Sequence, residues 1–120
     1  MRMVELIFEI TRRLPDDQRF GLISQMQRAA VSVPSNIAEG HAKRAGKDYK
    51  RHLTIAAGSV AELETQIELC VRLRLISRQS VVGAWTQSQR VAQMLTRLIQ
   101  SINAAAKQSS ERRAPNSERR

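Results

Sequence analysis

The polar residues best placed to do chemistry fall into two helical stripes. Arg28, Ser32, Asn36 and Glu39 follow one another at steps of 4, 4 and 3, so they share one side of a helix. Glu62, Thr65 and Glu68 do the same further along, with Glu64 on a different face. Carboxylates beside an arginine and an asparagine are the raw material of acid–base or metal-assisted chemistry. The same residues also make a structural network, with Arg28 reaching Glu62 or Glu64 across a helix pair and Ser32 and Asn36 satisfying backbone groups freed by Pro34. No histidine or nucleophile is expected to converge on these stripes, so no catalytic residue is assigned. Arg28, Ser32, Asn36, Glu39, Glu62 and Glu64 are read instead as a buried polar network that fixes helix register.

The remaining candidates are weaker. His41 and His52 are eleven residues apart, and neither has a metal-ligating companion one helical turn away. Both are expected on the surface beside a basic loop. Asp16 and Asp17 mark a helix start, where carboxylates meet the positive end of the helix dipole. The single cysteine, Cys70, allows no internal disulfide and no cysteine-rich zinc site, and it falls on an apolar helical face. There is no glycine-rich phosphate loop and no zinc spacing. No metal, cofactor or small-molecule substrate is expected.

The strongest binding signal is the segment HAKRAGKDYKRH, His41 to His52. It sets Lys43, Arg44, Lys47, Lys50 and Arg51 against one acidic residue, Asp48, in a chain of net charge +9. Such a balance favours polyanionic partners, RNA or DNA first. Tyr49 is the only aromatic there, so phosphate contacts rather than base stacking would carry binding, which would be salt-sensitive and largely blind to sequence. A solvated basic loop with no ligand is the alternative, and composition leaves both open.

Four helices must position these residues. The first runs from about Met3 to Leu14, with Met3, Ile7, Ile10 and Leu14 on one face, and Pro15 ends it. The second spans about Asp17 to Glu39, kinked at Pro34 and closed by Gly40. The third follows Gly46 to about Leu73 on the seam Leu53, Ala56, Val60, Leu63, Ile67 and Cys70. The fourth, from about Ser80 to Ala106, repeats it with Val81, Trp85, Ser88, Ala92, Leu95, Ile99, Ile102 and Ala106. Seams of 3.5-residue period with short connections predict an all-α, antiparallel up-down four-helix bundle over residues 1–107. Residues 108–120, QSSERRAPNSERR, are expected to form a disordered basic tail; without it the body still carries 16 Lys and Arg against 9 Asp and Glu. Extra apolar rows, Val91, Met94 and Leu98 in the fourth helix and Ile55, Leu69 and Val71 in the third, fit either a wide core stripe or a second covered face. No run approaches the ~20 apolar residues of a membrane span, and no secretory signal is seen, so the expected location is cytoplasmic.

Two segments, QMQRAAVSVPSNIAEG at Gln25–Gly40 and GSVAELETQ at Gly58–Gln66, carry a resemblance to a known family. In this order on consecutive helices they resemble the four-helix-bundle proteins encoded in intervening sequences of bacterial large-subunit ribosomal RNA. The accessory variability determinant of diversity-generating retroelements is related to them. The resemblance covers about Met3 to Ala106 and implies an up-down bundle assembled as a ring of five, with nucleic-acid binding proposed and no established catalytic residues. His52 stands where an aromatic is common in that family. The expectation is thus a non-enzymatic homo-oligomer, pentameric by resemblance, that binds RNA or DNA through repeated basic patches. A protein–protein adaptor is the alternative, and a small metal-dependent nuclease a distant one.

Overall fold

A computed structural model describes residues 1–43 and 47–113. It is an all-α molecule, and no strand occurs among the described residues. Four helices form the body: α1 (Arg2–Arg13), α2 (Ser24–Ala42), α3 (Lys47–Arg72) and α4 (Arg78–Arg113). A 3₁₀ turn at Asp16–Gln18 and a π-type turn at Arg19–Ile23 lead into α2. The α2–α3 and α3–α4 pairs are sequential hairpins, and α1 packs against α2 and the first half of α4.

Pro15 forces the residue before it out of helical angles, and Leu14 accordingly is extended at φ −79°, ψ 152°. The expected core face of α1 is borne out, with Met3, Ile7, Ile10 and Leu14 all buried. In α3 the six expected seam residues are each at most 1% exposed.

Three local expectations are corrected. The second helix starts later than the expected Asp17, because the chain bends near Gly21, which leaves helical angles (φ −104°, ψ −105°), so α2 begins at Ser24; it continues through Pro34 without a break, as expected. It also passes through Gly40 and ends at Ala42, where the Lys43 N–H reaches the Glu39 and Gly40 carbonyls. Gly40 is a packing residue: a Cβ there would lie 3.1 Å from Tyr49 Cδ1 and 3.3 Å from His52 Cβ, so its absence lets α2 and α3 approach closely. Third, α4 buries Val81, Ala84, Ser88, Val91 and Leu95, whereas Trp85 is 38% exposed. The core face is turned toward α1, because Ile10 of α1 covers that side beside Ala84 while Leu6 meets Gly83.

The α3–α4 turn closes with two hydrogen bonds, from Arg74 N–H to the Val71 carbonyl (3.0 Å) and from Leu75 N–H to the Cys70 carbonyl (2.9 Å). These are the pair expected of a Schellman cap, with Arg74 at φ 60° where glycine is usual. Ser77 caps the start of α4 by accepting from the Ser80 N–H at 3.3 Å. At its other end α4 continues through residues 108–113, beyond the expected boundary, because Ala104–Lys107 and the residues after it are compatible with helix and the first breaker is Pro115. The expected disorder of 114–120 lies outside the described residues. No described helix is long and apolar enough to cross a membrane.

Candidate functional site

The polar network exists, but its membership differs from expectation. Ser32 and Asn36 on α2 meet Ser59 and His52 on α3. Ser59 Oγ donates to Ser32 Oγ at 2.9 Å, and Asn36 Nδ2 donates to the Ser32 carbonyl (2.9 Å) and Ser32 Oγ (3.1 Å). The donor group of the Asn36 amide is thereby fixed, so its Oδ1 faces His52 Nδ1 at 3.0 Å. An amide oxygen only accepts, which requires the proton on His52 Nδ1. His52 Nε2 then lies 3.4 Å from Glu39 Oε2, close but without hydrogen-bond geometry, and is a buried atom without a hydrogen-bond partner among the described residues.

Several expectations fail here. His52 is 5% exposed rather than a surface residue, and a histidine does converge on the set. Arg28, Glu62 and Glu64 are not members. Arg28 lines a groove between α1 and α2, whereas Glu64 lines one between α3 and α4, so the two cannot meet across the α2–α3 seam. Glu62 is exposed and has no ion pair among the described residues. Asn36 does not serve the Ala30 carbonyl, the group that Pro34 deprives of its donor; it bonds the Ser32 carbonyl instead. A signal for His52 was present: His52, Ser59 and Gln66 stand seven apart, a polar row flanking the apolar seam. Gln66 is also 5% exposed.

With Nδ1 engaged by Asn36 and Nε2 buried 3.4 Å from Glu39 Oε2, the histidine is held rather than offered to solvent. Among the described residues no three His, Cys, Asp or Glu side chains gather where they could share a metal. Cys70 is fully buried with Sγ 3.7 Å from Met26 Sδ, and burial pushes its thiol pKa up.

The basic segment lies at the α2–α3 turn. Lys43 caps the C-terminus of α2, and Lys47, Lys50 and Arg51 open α3, all four exposed; Arg44 falls outside the described residues. Only Asp48 opposes them, 3.7 Å from Arg51 Nε. Cations at a helix N-terminus add to the positive end of its dipole, which works against helix stability and raises the local positive potential. Tyr49 is half-buried over Gly40 and tilted against His41 at a ring separation of 5.6 Å. That packing occupies the segment's only aromatic ring.

Two apolar grooves complete the surface. The α1–α2 groove, about 750 Å³, is lined by Phe8, Ile23, Gln27, Arg28, Val31 and Ser35 among others. The α3–α4 groove, about 550 Å³, includes Ala61, Glu64, Thr65, Leu69 and Trp85, and exposed Val82 and Leu73 extend that side. At its edge Arg78 and Arg72 both bond the Glu68 carboxylate, at 3.0 and 3.2 Å, and hold its pKa below the usual carboxylate range, Arg78 contributing most.

A search of curated proteins finds no match. A family model described as 23S rRNA-intervening sequence protein matches residues 1–97, which take in α1, α2, α3 and more than half of α4. The match covers both quoted motifs and the whole polar network, and the chain belongs to the 23S rRNA-intervening sequence protein family.

Proposed function

We propose that this chain is a non-enzymatic, cytoplasmic, oligomeric binding protein that engages nucleic acid at the start of α3. The observation that carries the reading is the exposed set Lys43, Lys47, Lys50 and Arg51, opposed by one aspartate, with Lys47, Lys50 and Arg51 in the first turns of α3. Phosphate would be recognised by charge, and the packed Tyr49 leaves sequence unread.

Self-association is supported by the two grooves. Arg28 in one and Glu64 in the other have no ion-pair partner among the described residues. Docking the Trp85 side of one copy on the Val31 side of the next would bury both apolar surfaces and pair these charges. Such a head-to-tail contact generates a closed ring when its rotation permits, and we take that ring to have five subunits. Each ring would repeat the basic end, so individually weak contacts would combine. A protein adaptor is the second reading, favoured if the grooves receive another protein instead.

The test is binding to mixed-sequence RNA and duplex DNA across a salt series, with the assembly sized first by light scattering. Submicromolar, steeply salt-dependent binding that collapses on replacing Lys43, Arg44, Lys47, Lys50 and Arg51 by alanine is the expected result. Absence of binding even at low salt overturns the nucleic-acid reading.

A further inference from the structure

No acidic residue stands between Glu68 and Glu111, although that stretch holds Arg72, Arg74, Arg78, Arg90, Arg97 and Lys107. Glu68 engages Arg72 and Arg78. Arg90, Arg97 and Lys107 are exposed and form no ion pair among the described residues, in contrast to Arg2, Arg51, Arg72 and Arg78, each of which meets a carboxylate.

Their placement follows from the core. With Val81, Ala84, Ser88, Val91 and Leu95 turned inward, the opposite face of α4 presents Thr86, Arg90, Gln93, Arg97 and Gln100 at steps of 4, 3, 4 and 3. Every one of them is exposed. Arg90 and Arg97 line neither apolar groove, so head-to-tail docking through the grooves leaves them available.

We propose that this outer face of α4 is a second nucleic-acid contact, separate from the α3 start, that follows a sugar–phosphate backbone along the helix axis. The inference rests on the polyanion reading above and adds a surface to it. Guanidinium forks suit phosphate oxygens, and the glutamine and threonine side chains between them supply neutral hydrogen bonds to phosphate and ribose. From Arg90 to Lys107 the helix rises about 25 Å, the length of about seven nucleotides of a B-form duplex strand. An anionic membrane fits less well, because a helix lying on lipid needs a large apolar side to insert, and this face has none.

The experiment compares three full-length variants with the parent on a 20-base-pair mixed-sequence RNA duplex over a salt series. One carries Arg90→Gln, Arg97→Gln and Lys107→Gln. A second carries the alanine replacements at the α3 start. A third removes equal charge from α1 with Arg2→Gln, Arg12→Gln and Arg13→Gln. Circular dichroism and light scattering confirm that each keeps the parent's helicity and size. The α4 variant should bind at least tenfold more weakly at low salt, with the slope of log affinity against log salt reduced by about 2 to 3, as expected for three lost phosphate contacts. The α1 variant should change much less. Parent-like binding by the α4 variant, or equal loss in the α1 variant, overturns the second contact while leaving the first reading intact if the α3-start variant still fails. Absence of binding by the parent removes both. Preferential loss of binding to phosphatidylserine vesicles, with RNA affinity unchanged, also overturns the proposal.

Discussion

Two glycines inside helices should respond to the same substitution with opposite signs. Replacing an interior helical glycine by alanine gains about 1 kcal/mol of helix propensity, provided the methyl group has room. At Gly58, on an exposed part of α3, nothing lies within 4 Å of a new Cβ, so Gly58→Ala should stabilise by about that amount. At Gly40 the methyl would meet Tyr49 Cδ1 at 3.1 Å and His52 Cβ at 3.3 Å. The tyrosine ring can shift a little, but a Cβ is fixed to its backbone, and His52 is held by Asn36. The helices must therefore part, at an overpacking cost of about 1–3 kcal/mol. That cost exceeds the propensity gain, so Gly40→Ala should destabilise by about 1 kcal/mol and lie about 2 kcal/mol below Gly58→Ala. Urea unfolding followed by far-ultraviolet circular dichroism, at one fixed protein concentration, measures both. Stabilisation of Gly40→Ala equal to that of Gly58→Ala would refute the close-approach argument.

Asn36→Ala removes the acceptor of His52 Nδ1–H and strands a buried donor, so it should cost about 1–3 kcal/mol in the same urea assay. Arg74→Gly relieves a left-handed conformation at an exposed cap and should stabilise by about 1 kcal/mol, raising the melting temperature by several degrees. For Glu68, Arg78 and Arg72 depress the folded pKa, so the ion pairs contribute above the carboxylate's unfolded value and are lost as pH falls through the folded one. Carboxyl NMR titration should show the Glu68 midpoint rising in Arg78→Ala; an unchanged midpoint would contradict the assignment of Arg78 as the main cause.

Helix number, order and the seams of α1 and α3 were legible because a 3.5-residue apolar period has one solution on each. The face of α4 was not, since two apolar rows lie side by side and the choice between Trp85 and Ala84 depends on where α1 docks. Gly40 misled for a related reason. Local chemistry makes glycine a helix terminator, but here the constraint is the neighbouring helix. The polar network was half legible: the Ser32–Asn36 pair followed from the α2 stripe, whereas His52 looked solvated beside its basic neighbours, and only the seven-residue spacing to Ser59 and Gln66 marked it as inward. Arg28 and Glu64 were paired on charge alone, and opposite sides of the α2–α3 pair keep them apart.

The unequal lengths of the helices also bear on how the chain folds. The α2–α3 and α3–α4 hairpins join neighbours through short turns, so their loops close at little entropic cost and on fast timescales. Helix α1 is 12 residues long and must reach across to α4, where Arg13 Nη2 meets Ser80 Oγ from 67 positions away. That closure is distant in sequence, and a 12-residue helix is marginal in isolation. Assembly should therefore proceed from a preformed α2–α3–α4 unit, with α1 docking last and opening first, and native-state hydrogen exchange should show α1 amides exchanging through the lowest-energy opening. Since Phe8 forms one wall of the α1–α2 groove, any partner seated in that groove would clamp the most easily released element of the fold.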